Sequence, residues 1–180
     1  LGRHGRAAEN HPPQVENRGA VAVVDRRGTP DWFFRQQDAL HGFTVDVAAD
    51  AGNAKCERYF DAELDGLAQS WAGEVAWCNP PWSECGAWVA KALAEVRAGC
   101  LGAVLLLPAN RTELGWWQDL VEPVRDRGLG VSTEFVRARL KFLGVRTSDA
   151  ARNPRANRPP CGVVLVVVAP PPRANKKTCK

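Results

Sequence analysis

The sequence predicts an α/β fold: a compact single domain in which a mainly parallel sheet carries helices on both faces. Three observations predict it. Strand-like apolar runs alternate along the chain with segments of helical pattern, as in repeated strand–helix–strand units. One run, residues 102–107, is continuously apolar, as a strand covered on both faces must be. Finally, 180 residues with 45% hydrophobic content suffice for one buried core and make a two-domain enzyme unexpected.

Residues 1–27 are rich in Arg, Glu, Asn, Gly and Pro and show little apolar periodicity beyond a short run at 20–24, so they read as a disordered tail. Residues 170–180, opening on three prolines, read the same way, which leaves 28–169 as the folded domain. Residues 31–41 should form a helix, with Thr29 as N-cap and Pro30 in the first turn, where its missing N–H costs nothing. Strands follow at 43–48 and at 74–78, the second stopping at a double proline. A helix is expected at 83–98, with Trp88, Leu93 and Val96 among its apolar positions. After the strand at 102–107, residues 112–127 suggest a helix interrupted or ended near Pro123. Further strands are expected at 132–136 or 139–142 and at 162–168, with an antiparallel strand or hairpin toward the C-terminal end.

The formal net charge is +4, with 24 basic against 20 acidic residues, which permits a polyanionic partner without demanding one. Its distribution says more. From Arg137 to Arg158 the basic residues are Arg137, Arg139, Lys141, Arg146, Arg152, Arg155 and Arg158, opposed by Asp149 alone. On a strand, Arg137, Arg139 and Lys141 would share one side and make a phosphate track, or merely a solvated face. The six cysteines form no Cys-x-x-Cys pair and the three histidines precede residue 42, so free buried thiols are expected and no metal site. No run approaches the roughly 20 apolar residues of a membrane helix. Nothing near residue 1 resembles a secretory signal, and a cytoplasmic location is expected.

The sharpest chemical signal is Asn79-Pro80-Pro81-Trp82, directly after the strand at 74–78. Ligands of open parallel sheets bind beyond the carboxyl ends of strands. The exocyclic nitrogen of adenine is a poor nucleophile because its lone pair is delocalised into the ring. An Asn side-chain carbonyl and a backbone carbonyl can accept its two protons and favour a tetrahedral nitrogen. The Pro80-Pro81 pair stiffens the loop, and Trp82 can stack on a base swung out of a duplex. The plainer reading is a turn with a Trp packed on proline.

These four residues match the Asn/Asp-Pro-Pro-aromatic motif of amino-methyltransferases, and the chain resembles the phage-type DNA N-6-adenine methyltransferases, often called phage Dam. The matching stretches run in family order: Thr29-Pro30-Asp31-Trp32-Phe33-Phe34; Phe43-Thr44-Val45-Asp46-Val47-Ala48-Ala49; Asn53-Ala54-Lys55-Cys56; Asp65-Gly66-Leu67 with Trp71; Cys78 through Trp82; Leu106-Leu107-Pro108-Ala109 with Thr112 and Trp116-Trp117; and Arg139-Leu140-Lys141-Phe142. The resemblance implies a Rossmann-like S-adenosylmethionine-dependent methyltransferase fold, S-adenosylmethionine as methyl donor, and double-stranded DNA as substrate. It implies Asn79, Pro80, Pro81 and Trp82 as the catalytic loop, acting on a flipped adenine without a covalent enzyme intermediate. It further suggests protection of phage DNA in a restriction-modification setting.

For the cofactor the resemblance implies contacts from Asp46 and Ala48 at the end of the first strand, and from Thr29 and Pro30 in a segment closing over the same end. Asp46 could accept from the cofactor's ammonium group, or simply cap a turn; Thr29 could equally be a helix cap. The family pattern is not met throughout. A single Gly, Gly52, stands where a glycine-rich loop is usual, Trp82 replaces the commoner Tyr, and only 33 residues separate Asp46 from Asn79. Ribose and adenine contacts are therefore open, with Asp61, Glu63 and Asp65 as candidates. Trp116 and Trp117 point about 100° apart on a helix, so one should be core while the other could line a cleft. Rival readings are an amino-methyltransferase acting on RNA or protein glutamine, and a non-catalytic nucleic-acid-binding module. A monomer is favoured.

Overall fold

The computed structural model describes residues 28–144, 159 and 161–171. Its elements, in chain order, are α1 (Asp31–His41), β1 (Val45–Asp46), β2 (Arg58–Tyr59), β3 (Val75–Cys78), α2 (Cys85–Ala98), β4 (Gly102–Pro108), α3 (Gly115–Leu120), β5 (Val131–Phe135) and β6 (Val163–Val168). They build one six-stranded sheet in the order β2-β1-β3-β4-β6-β5. The expected tail 1–27, the apolar run within it and the basic residues Arg146, Arg152, Arg155 and Arg158 lie outside the described residues, as does most of the expected tail 170–180.

The sheet is mixed, which corrects the expectation of a mainly parallel one. Strands β2, β1, β3 and β4 pair in parallel, but β6 is antiparallel to both of its neighbours. The reason is where the chain re-enters. Residue pairs Pro108↔Val163 and Phe135↔Val164 put the start of β6 beside the ends of β4 and β5, so β6 must run back the other way. The antiparallel strand expected near the C-terminal end is thus β6.

Both faces of the sheet are covered. On one, Trp88, Val89 and Ala92 of α2 and Trp117 of α3 pack with Val45, Val47, Ala76, Cys78, Leu105 and Val166. On the other, Phe33 and Phe34 of α1 pack with Trp77, Val104, Leu106, Leu140, Phe142 and Leu165. Strand β4 feeds both clusters, which is why its run is apolar without alternation.

Several boundaries differ from the sequence reading. Pro30, not Thr29, is the N-cap of α1; its carbonyl accepts from the N–H groups of Phe33 and Phe34, and no side chain caps the helix. The strand expected at 43–48 shrinks to two residues. The helix expected at 112–127 is confined to Gly115–Leu120, because Pro123 cannot continue it. Of the two places offered for the next strand, 132–136 is realised as β5 and 139–142 forms none; between them Ala138 has φ 64°, a left-handed conformation that interrupts an extended course. Strand β2 had no apolar run to announce it. Among the described residues no helix is long and apolar enough to cross a membrane.

Candidate active site

The carboxyl ends of β1, β3 and β4 form one rim, and the chain reverses its lateral direction there. From β1 it goes out to β2, then returns to lay β3 on the other side of β1. In open α/β sheets such a switch point is where the crevice opens. Asp46 ends β1 and is in register with Trp77 of β3, two residues before Asn79. The Val47 N–H donates to the Trp77 carbonyl at 2.9 Å and prolongs the pairing past β1.

Asp46 is 3% exposed. Its neighbours Val45 and Val47 point into one core cluster, so the period-two pleat turns the carboxylate toward the α1 side. Oδ2 accepts from the Lys55 N–H at 3.1 Å and Oδ1, more weakly, from the Ala48 N–H at 3.4 Å. Burial pushes the Asp46 pKa up to about 6, against the pull of those two N–H donors. The Lys55 ammonium reaches the other way, to the carboxylate of Asp31 in the first turn of α1, and holds that group below its ordinary range. Lys55 therefore ties the Thr29-Pro30 segment to the loop after β1. Sequence reasoning gave it no role, although it lies in the matching stretch Asn53-Ala54-Lys55-Cys56. Thr29 is 2% exposed and its hydroxyl has no hydrogen-bond partner among the described residues. Pro30 is buried and Ala48 half-buried.

Asp65 is exposed, with φ 52°, and its carboxylate accepts from the Leu67 N–H at 3.1 Å. Asp61 likewise accepts from the Glu63 and Leu64 N–H groups, so both are partly engaged in their own loop, while Glu63 is exposed. Gly66 brings this loop to the rim. A Cβ on Gly66 would stand 2.0 Å from the Val47 carbonyl oxygen, a distance only a glycine permits.

The loop after β3 carries Asn79, Pro80, Pro81 and Trp82. Pro80 is buried and the other three are half-buried. The Pro81 carbonyl accepts from the Glu84 N–H at 3.0 Å and the Trp82 carbonyl from the Cys85 thiol at 3.3 Å, which fastens the loop to the start of α2. The Trp82 indole packs against both core clusters and meets Phe142 edge-on. Phe142 is the second residue that sequence reasoning left without a role; its signal was a place beside the basic strip. The Cys78 thiol is fully enclosed and burial raises it well above its ordinary pKa, so it stays protonated.

Arg137, Arg139 and Lys141 are all exposed, but the expectation that they share one side of a strand is corrected. The left-handed backbone at Ala138 separates Arg137 from the other two. Arg139 and Lys141 still alternate with buried Leu140 and Phe142, so that pair shares an outward face. Trp117 is core, its Nε1 donating to Glu122 at 3.0 Å, and Trp116 is half-buried against Gly86. The five described cysteines are free thiols, four buried and Cys56 half-buried; Cys179 lies outside the described residues.

A stretch of the chain is 37% identical over 67 residues, 33% of this chain and 74% of the relative, to the protein named "Putative methyltransferase YfdM" of Escherichia coli (strain K12). Residues 17–174 match the family described as DNA N-6-adenine-methyltransferase (Dam). With most of its length matched, the whole described sheet included, the chain belongs to the DNA N-6-adenine-methyltransferase (Dam) family.

Proposed function

We propose that the protein transfers a methyl group from S-adenosylmethionine to the N6 amine of an adenine extruded from double-stranded DNA, on a Rossmann-like scaffold. The observation that carries this reading is the adjacency of Asp46 and Asn79 at the ends of two neighbouring parallel strands, where the sheet reverses direction.

The residues present fit the amino-acid end of the cofactor. A buried hydroxyl without a partner among the described residues, Thr29 Oγ1, and a buried carboxylate that accepts only two backbone N–H bonds, Asp46, are costly to bury and suited to a carboxylate and an ammonium group respectively. When bound, S-adenosylmethionine supplies an electrophilic methyl on a sulfonium. Asp46 would hold the ammonium, Thr29 the carboxylate, and Pro30 and Ala48 would close around them. Asp65 is the candidate for the ribose hydroxyls.

The Asn79 side-chain carbonyl and the Pro80 backbone carbonyl accept the two N6 hydrogens and draw the nitrogen toward a tetrahedral geometry. Pro81 restricts the loop, and the Trp82 indole stacks on the purine, a contact worth about 1–3 kcal/mol per base. Once the amine has taken the methyl, its surplus N6 proton, still hydrogen-bonded to the Asn79 or Pro80 carbonyl, would pass to water. Cys78, beside the loop, is no nucleophile for a covalent route, because its thiol is buried and burial holds it protonated.

Charge along the rim favours an orientation for the duplex. Asp50, Asp61, Glu63 and Asp65 lie on the β1–β2 side, whereas Arg137, Arg139 and Lys141 follow β5. Phosphates would therefore run along the β5 side, past Trp82. A role in protecting phage DNA from restriction, within the cytoplasm, is consistent with this reading.

The test has two parts. Calorimetry with S-adenosylhomocysteine should give saturable binding. Plasmid DNA from a host without its own adenine methylation should acquire N6-methyladenine at defined sites by single-molecule sequencing. Methylation confined to RNA or to protein glutamine would refute the DNA reading, and no cofactor binding would leave a non-catalytic module.

A further inference from the structure

An enzyme that withdraws a base from a duplex leaves a gap, and the neighbouring pairs lose stacking unless something apolar fills it. One exposed side chain is placed for that task. After Ala138 the residues Arg139, Leu140, Lys141, Phe142 and Leu143 alternate strictly in burial: the odd-numbered ones are exposed and the even-numbered ones buried. Leu140 and Phe142 pack with Trp77, Val163 and Leu165, and Phe142 touches the Trp82 indole. The outward row is therefore two cations followed by a leucine that is 48% exposed. Side chains two apart in extended chain stand about 7 Å from one another.

Leu143 is also held firmly. Its N–H donates to the Gly28 carbonyl at 2.8 Å, and its carbonyl accepts from the Gly28 N–H at 3.1 Å. Its side chain lies beside Gly28, where an added Cβ would stand 3.5 Å from the Leu143 Cβ, and about half of it stays open to solvent. Trp32 and Phe135 are more exposed, at 63% and 57%, but neither continues a row of cations from a residue in contact with Trp82.

We propose that Leu143 is a wedge. It enters the duplex at the step from which the adenine is withdrawn, while Lys141 and Arg139 hold phosphates of the flanking backbone. Through Phe142 the wedge is coupled to the loop that receives the base. Leu143 is thus a positioning residue, and the proposal rests on the adenine reading above.

The experiment uses the full chain and an oligonucleotide duplex carrying a site mapped from modified plasmid. Single-turnover methylation is measured on the paired duplex and on the same duplex with an abasic site opposite the target, which needs no unpairing. Leu143→Ala should lose about tenfold or more on the paired duplex, less than about twofold on the abasic one, and leave S-adenosylhomocysteine affinity unchanged. Leu143→Met should stay close to wild type on both. Equal losses on both duplexes, or none on either, overturn the wedge alone. A wild-type protein that methylates no adenine substrate overturns the reading beneath it, and the wedge with it.

Discussion

The indole of Trp82 and the ring of Phe142 stand edge-on, 5.7 Å between centres and 89° between planes. One belongs to the loop after β3, the other to the segment after β5, so a contact between aromatic rings joins the candidate base-binding loop to the candidate DNA-facing one. Phe142 is 2% exposed, and Phe142→Ala should cost about 3–5 kcal/mol of stability by opening a cavity, read as a lower denaturant midpoint. Phe142→Leu should keep the fold and cofactor affinity yet slow methylation, since the edge-on support of the indole is gone.

In the proposed catalytic loop, Asn79→Ala should lower turnover by about two to three orders of magnitude with S-adenosylhomocysteine binding intact, as expected when one polar group aimed at a transition state is removed. Cys78→Ser should retain turnover at some expense in stability from burying a hydroxyl. Rapid-quench assays on both variants check the pair. Inactive Cys78→Ser with active Asn79→Ala would invert the assignment.

If Asp46 holds the cofactor ammonium as proposed, cofactor binding should depend on pH. Burial raises its pKa from 3.8 to about 6, so the folded protein holds this proton more tightly than the unfolded chain does. The contribution of the group to stability is therefore greatest at low pH and is lost as pH rises through that window. An ammonium ligand demands the opposite, ionised form. At pH 5 about one Asp46 carboxyl in ten is ionised, and S-adenosylhomocysteine affinity should be about tenfold weaker than at pH 8. Asp46→Asn should bind weakly at both values, and its denaturation free energy should gain on wild type between pH 5 and pH 8.

Gly66→Ala places a methyl where the Val47 carbonyl already is. The loop must back away from the end of β1, at a cost of about 1–3 kcal/mol or more. Its cofactor affinity should fall even under conditions where circular dichroism shows the fold retained.

Much of this was legible from residue order alone, for identifiable reasons. β4 and β6 carry apolar runs longer than a turn can hold, α1 and α2 keep a helical period, and Asn79-Pro80-Pro81-Trp82 is dense with backbone restriction. β2 was missed because two residues with one exposed side chain leave no periodic trace. The end of α3 short of Pro123 was announced by the proline itself, whereas its start at Gly115 was not, because residues 112–114 have helical composition and the extended backbone at Leu114 leaves no trace in sequence. The cap was misassigned at Thr29 because a buried Thr and a capping Thr look alike in sequence. Lys55 contributes through its backbone N–H as much as through its ammonium, and a backbone donor carries no letter of its own.

The paired hydrogen bonds between Gly28 and Leu143 have a thermodynamic corollary. One side of that bridge leads in a single residue to Thr29 and the proposed methyl-donor site, the other to the row proposed to face nucleic acid. A shift that either occupant imposes on the bridge must alter the affinity for the other by an equal factor in both directions. Donor and polynucleotide should then load cooperatively or antagonistically, but not as strangers.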